Sequence, residues 1–459
     1  MRSEVMAGVI KGIARAPRTI YAAFALEALI SGFYVVITRS LAPIFFAVYG
    51  LPLVDIVKLN LLANIAALAL ALAIYSYGNI FVSGRTRAKL ALFHGLERVC
   101  WAMIPLSAFY APSLLPVTYA AAVCATVPTS ILINVSIINS VDSQTVKRLF
   151  AHRSALGAVS SVIGQVTMVA ALALIPSFSK YLYLYLLASG VGLIATTIVA
   201  SAPIVGVENV YSESEEEALV KASTSFTFFV TLLASTSILG VVWGPHLIKD
   251  LRAPAFVAAS LGLVQTVTSI GASILWQRAK YTMYRAAVLG TAVTPILVAL
   301  VPNPYAHLGI AALYAFTNTG ANFLASFIFA DVSRRVGVFK SSTMLTSAWV
   351  LSQVVGLAPC YLALAAGAPT WVAFAVCIGF VALSSFIAFT ALPEVALVPP
   401  HIANLYARNL YQLSIASYTF VMFTVKSYAL LAVRLLALAF VILLLFVIYR
   451  VLYYLASAG

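Results

Sequence analysis

Of 459 residues, 63% are hydrophobic and only 9% charged, whereas soluble domains run to roughly half apolar and about a quarter charged. The solvent for most of this chain is therefore lipid, and no segment is long enough to form a separate soluble domain. The net charge of +14 is scattered over short loops, which leaves no basic domain for nucleic acid to bind.

The N-terminal segment, residues 1–18, lacks an unbroken apolar core and a small-residue cleavage site, so the first membrane helix is expected to act as the targeting signal. Apolar runs bounded by charge, Gly and Pro predict spans near 19–48, 52–78, 90–110, 113–139, 155–177 and 181–203. These form an N-terminal six-helix half, 19–203. A linker follows at 204–225, whose "ESEEE" reads as a solvated tether. Six more spans are predicted near 226–245, 253–275, 286–302, 305–330, 342–366 and 370–392, giving a second half at 226–392. Beyond it, residues 393–428 read as a polar, interfacial helix and 429–459 as an extra transmembrane helix. Two spans within 409–457 are the alternative, at the cost of finding internal partners for Gln412 and Lys426.

Loop charge sets the expected orientation. Arg2, Lys11, Arg15 and Arg18 precede the first span. Loops on the same side carry Arg85, Arg87 and Lys89, then Lys147, Arg148 and Arg153, and later Arg278, Lys280, Arg285, Arg334, Arg335 and Lys340. Opposite loops such as "YAPSLLPV", "PNPYAH" and "AAGAPT" have no Lys or Arg; Lys180, Lys249 and Arg252 are the exceptions. The expectation is a multi-pass protein of the cell membrane with its N-terminus in the cytoplasm.

The two halves share landmarks. Gly78 and Gly271 each precede a basic hairpin, 193 residues apart; Asp142 and Asp331 are offset by 189, and Gly164 and Gly356 by 192. Two homologous, parallel six-helix halves follow from these offsets, an arrangement known among secondary transporters.

With the six-plus-six hydropathy, the polar central linker, the basic hairpins after spans two and eight and the segment "TRSLAPIFFAVYG" in span one, residues 19–392 resemble the major facilitator superfamily (MFS) of secondary transporters. The resemblance implies an all-α, polytopic MFS-like bundle with pseudo-two-fold related halves, to which the C-terminal helix is an addition. It also implies that spans one, four, seven and ten line a central cavity. Their polar residues are Tyr34 and Arg39; Asn134 and Ser136; Thr231, Ser235 and Thr236; and Tyr314, Asn318 and Asn322. Of these, Tyr34, Arg39, Asn134, Thr231, Ser235, Tyr314, Asn318 and Asn322 are the candidate substrate-binding residues, with interhelical hydrogen bonding as the alternative for each. The chain departs from the family in its added C-terminal span and in its hairpins, since neither "GNIFVSGRTRAK" nor "GASILWQRAK" contains the acidic residue usual there.

Charges inside spans are expensive and often functional. Glu27 is expected about 12 Å into span one, at ~1.5 Å per residue, with Glu97 and Arg98 at similar depth in span three. Glu27 is the candidate proton-coupling residue, and Glu97 and Arg98 the candidate structural charge cluster, with Arg98 able to pair with either carboxylate. Arg39 lies farther along span one, placed to bind an anionic group or to pair with an acid such as Asp55. The helical periodicity puts Arg39 and Glu27 on different faces.

No phosphate loop, zinc-protease motif or nucleophile elbow is present, and the opposite-side loops are too short for the acidic catalytic loop of a membrane glycosyl transferase, so no enzyme, cofactor or metal is expected. Cys100, Cys124, Cys360 and Cys377 lie in apolar runs as packing residues, and the five histidines read mostly as interface residues at span ends. Taken together, the sequence points to a secondary active transporter of a small organic solute working by alternating access. Its expected partners are the solute, the bilayer, a coupled proton and a partner protein at the extra helix. Efflux of amphipathic compounds is the favoured form; the alternatives are an organic-anion metabolite transporter and a non-transporting MFS-like scaffold.

Overall fold

The computed structural model describes residues 2–140, 143–204, 216–276, 278–279, 281–336 and 338–391, and each of the twelve spans predicted between 19 and 392 is a helix. The first half consists of α1 (Arg2–Val48), α2 (Leu53–Ser76), a short α3 (Gly78–Val82), α4 (Thr86–Tyr110), α5 (Leu115–Ser140), α6 (Ser143–Leu174) and α7 (Lys180–Ser201). The second consists of α8 (Glu216–Lys249), α9 (Ala255–Trp276), α10 (Tyr281–Leu300), α11 (Ala306–Val336), α12 (Val338–Ala365) and α13 (Trp371–Ala391). Among the described residues, 10 helices are long and apolar enough to cross a membrane; α4 is not in that set, its hydropathy being lowered by its charged residues. Most of the linker, the interfacial helix and the extra C-terminal span lie outside the described residues.

The repeat read from glycine and aspartate spacing is present in the packing. In the first half α1 packs on α6 and α7, α4 on α5 and α7, and α2 on α5; in the second, α8 packs on α12 and α13, α10 on α11 and α13, and α9 on α11. The landmark glycines sit at equivalent crossings. A Cβ on Gly164 of α6 would lie 2.6 Å from Val36 Cγ1 and 3.0 Å from Phe33 O of α1, and one on Gly356 of α12 would lie 2.6 Å from Ala234 O of α8. Small residues let helix backbones approach where lipid provides no hydrophobic drive to association.

The halves meet through α2 with α12, α6 with α9, α1 with α8 and α5 with α12. Toward the Val48 end they share one apolar core that includes Phe45, Phe46, Trp243 and Leu247, and this core extends on the α2, α5 and α12 side to Val82, Val135 and Phe339. At that same far end each half also has a smaller core of its own: Ile20, Phe24, Leu90 and Val199 in one, Phe228, Leu232, Tyr284 and Leu324 in the other.

The hairpin after α2 shows what stands in for the missing acid. Gly84 turns the chain with φ of +74°, a left-handed conformation that favours glycine. Lys89 Nζ then donates to the carbonyls of Phe81 and Ser83 at 3.2 and 2.9 Å, and Arg87 Nε donates to Ala200 O near the end of α7. Cations suit helix C-termini, where carbonyls lack partners within the helix. Arg87 and Lys89 thus cap helix ends.

Candidate functional site

The buried charges of the first half form two linked groups around α1. In the first, Glu27 accepts from Arg153 Nη1 of α6 at 2.6 Å, the same nitrogen donating to Phe24 O at 2.7 Å. His94 of α4 lies against it, Nε2 3.4 Å from Glu27 Oε1, while its Nδ1 is 2.8 Å from Thr196 Oγ1 of α7. In the second, Arg98 Nη1 donates to Glu97 Oε2 at 2.8 Å and to His94 O at 3.1 Å, and Nη2 donates to Ser31 Oγ at 3.2 Å. The Arg98 guanidinium carbon stands 4.6 Å from the centre of the Tyr34 ring, a cation–π placement. Gly192 of α7 makes room for both, since a Cβ there would lie 2.7 Å from Arg98 Cγ and 3.0 Å from the Tyr34 ring.

Arg39 belongs to the second group. Its Nη2 donates to Glu97 Oε1 at 3.3 Å, and its guanidinium carbon lies 5.9 Å from the Trp349 ring centre on α12, in the other half. Its carboxylate partner is therefore Glu97, not Asp55, which is exposed near the start of α2. The helical spacing kept Arg39 and Glu27 apart correctly, but it could not show that a residue from α4 would reach Arg39.

Arg39 also lines a cavity of about 290 Å³ between the halves, together with Asn60, Asn64, Trp101, Tyr119, Trp349 and other residues of α1, α2, α4, α5, α8 and α12. A second cavity of about 280 Å³ adjoins it, lined among others by Ser40, Trp243, Gln265, Tyr314 and Asn318; Pro43, Thr236 and Gly240 border both. Tyr119 donates to Asn60 Oδ1 at 2.6 Å, and the Asn60 and Asn64 amides donate to carbonyls one turn back, each at 2.8 Å. Asn64 Oδ1, Trp101 Nε1, Arg39 Nε and Asn318 Oδ1 are buried and without a partner, the condition in which a polar atom favours a ligand or ordered water.

The predicted binding residues divide accordingly. Arg39, Tyr314 and Asn318 line the cavities. Tyr34 is fully buried behind Arg98, its hydroxyl 3.4 Å from Glu97 O. Thr231 and Ser235 donate to carbonyls of their own helix, and Asn134 and Asn322 are half-buried away from both cavities. The spacing rule that selected Asn318 and Asn322 applies equally to Asn60 and Asn64 in "LNLLANIAA". The expectation that spans one, four, seven and ten line the cavity leaves them out, whereas α2 and α12 are also brought to the cavity by packing on each other.

Two histidines differ from their expected interfacial placement. His94 is buried in the charge network. His307 is also buried, receiving Trp243 Nε1–H on Nδ1 at 2.9 Å with Nε2 2.8 Å from Val301 O. Outside the spans, a hydrogen bond from His246, 2.7 Å away, is the main reason the Asp250 carboxyl is held below its ordinary pKa.

The chain matches no protein-family model and no curated protein sequence. Among solved structures it is similar to the nucleoside transporter NupG, with 12% identity, a TM-score of 0.59, and 82% of this chain and 98% of that one covered. A bacterial homologue of the human lysosomal transporter Spinster, in an inward-facing and unoccupied conformation, aligns with 13% identity and a TM-score of 0.56, covering 81% and 97%. An inward-facing bacterial homologue of the iron transporter ferroportin aligns with 12% identity and a TM-score of 0.57, covering 80% and 97%. The fold is that of the MFS transporters. At such low identity the likeness extends to the fold, and the differing cargoes named for these neighbours point to no common solute.

Proposed function

We propose that this protein is a secondary active transporter that moves a small organic solute by alternating access. The observation that carries this is the pair of adjoining cavities walled by residues of both halves. Rocking of the halves would expose these residues to one side of the membrane and then to the other. Aromatic walls suit a solute with an apolar body, and export of amphipathic compounds is the specific form we favour. Purified protein in liposomes should move solute down an imposed gradient, while empty liposomes and a chain with α2 cross-linked to α12 should not. Absence of flux for every solute that binds would leave the scaffold alternative.

Two further expectations belong here. A cysteine placed at Ser83 should react with an impermeant thiol reagent only from the cytoplasmic side, and one at Ala111 only from outside; the reverse pattern would invert the topology. For Glu27, the ion pair with Arg153 and the contact with His94 favour a structural role over that of proton carrier, because the carboxylate is clamped on both oxygens and does not line either cavity. Glu27→Gln should therefore lower thermal stability and impair gradient-driven transport and solute exchange together. Loss of gradient-driven transport with exchange intact would instead make Glu27 the coupling residue.

A further inference from the structure

Charges in a low-dielectric interior are tolerated when each is paired, and the two groups around α1 differ in this respect. Glu27 is matched by Arg153. Glu97, buried to 2% exposure, is shared by two guanidinium groups, Arg98 at 2.8 Å and Arg39 at 3.3 Å. Three guanidinium groups, of Arg153, Arg98 and Arg39, thus face two carboxylates, so one positive charge in this cluster has no carboxylate of its own among the described residues. Arg98 is sealed in at 2% exposure, whereas the Arg39 side chain is 35% exposed and borders the cavity. The unmatched charge thus falls on the one member of the cluster that solute can reach.

The cavity walls give no other answer to it. Among the described residues, Arg39 is the one charged side chain lining either cavity, and no carboxylate among them does so. A cationic solute would meet Arg39 without a counter-charge, and a neutral one would leave the guanidinium unmatched. An anion would complete the pairing, because the guanidinium fork fits carboxylate and phosphate oxygens. Trp101 and Asn64 on the same wall each keep a buried polar atom without a partner, Trp101 Nε1 and Asn64 Oδ1. Trp101, Tyr119 and Trp349 supply apolar faces in a space of about 290 Å³, near the lower end of ordinary small-molecule sites.

We infer that the cavity binds a small organic anion with an apolar or aromatic body, its anionic group docking on Arg39 and its body lying between Trp101, Tyr119 and Trp349. This deepens the transporter function proposed above and names the chemical class of its solute. Glu97 then remains with Arg98 while the solute takes the exposed side of Arg39. Since Trp349 belongs to the second half, the solute also bridges the two halves at the charged residue.

The test needs no flux. Full-length protein in detergent is titrated with benzoate and phenyl phosphate and with their uncharged counterparts, benzamide and phenol, following tryptophan fluorescence and thermal melting. Saturable binding of at least one anion, about tenfold or more tighter than its neutral counterpart, is expected. Arg39→Gln should abolish that preference, and Arg39→Lys, which keeps charge but loses the fork, should reduce it several-fold; either variant serves if the other fails to run as a single species on size exclusion. Equal affinity for charged and neutral members, a preference that survives these substitutions, or no saturable response to either anion would overturn the anion site. A chain that binds anions selectively yet moves nothing in liposomes would keep the anion site and refute transport.

Discussion

Arg98→Leu is expected to remove nearly all folded protein from the membrane fraction. The side chain is buried, donates to Glu97, His94 O and Ser31, lies over the Tyr34 ring, and fills the space that Gly192 leaves on α7. Breaking a buried ion pair by removing one partner costs about 3–5 kcal/mol, a large part of the ~5–15 kcal/mol by which folded proteins are stable. Glu97 would retain only Arg39, at a longer 3.3 Å. The double substitution Glu97→Leu with Arg98→Leu should recover part of the loss, because it removes the stranded carboxylate as well. Yield and melting temperature by size exclusion decide this. A single variant as stable as the parent would mean that the charge network does not hold α1 against α4.

Gly164→Val and Gly356→Val form a matched pair across the repeat, and each is expected to impair folding. Even a Cβ would stand 2.6 Å from an atom of the facing helix at either position. The branched side chain must separate α1 from α6 in one half or α8 from α12 in the other, at a cost of about 1–3 kcal/mol or more for overpacking. The two should reduce melting temperature by similar amounts, since they act on equivalent crossings. Gly190→Val offers the control, because a Cβ there meets nothing within 4 Å. Equal tolerance at all three positions would show that the helices do not approach as closely as described.

The fold was legible because lipid makes hydropathy explicit: a span must be apolar for about 20 residues, and its ends are marked by charge, Gly and Pro. Gly164 and Gly356 were legible as a pair for a related reason, since a close helix crossing constrains residue size at the same place in both halves. The site was legible only in part. Arg39 was conspicuous as a charge inside a span, and Asn318 as one of two asparagines sharing a helical face. The pairing of Arg39 with Glu97 depends on how α1 and α4 are rotated about their axes, and Trp349 reaches Arg39 from another half of the chain. Neither follows from the period of a single helix. Tyr34 illustrates the opposite error: it lies on a span expected to line the cavity, yet its ring is covered by Arg98.

The sharing of one carboxylate by two guanidinium groups has an electrical consequence. A carrier of this design holds a net positive charge at its empty site and none once an anion has docked, so membrane voltage acts mainly on the empty form. A full elementary charge crossing the whole field is worth about 2.3 kcal/mol per 100 mV, and Arg39 experiences the fraction of that drop that its access switches across. Were the proposed anion exporter to sit in a membrane negative inside, that potential would hold the empty site toward the cytoplasm for loading, and the resting voltage would become a force that resets it for the next cycle.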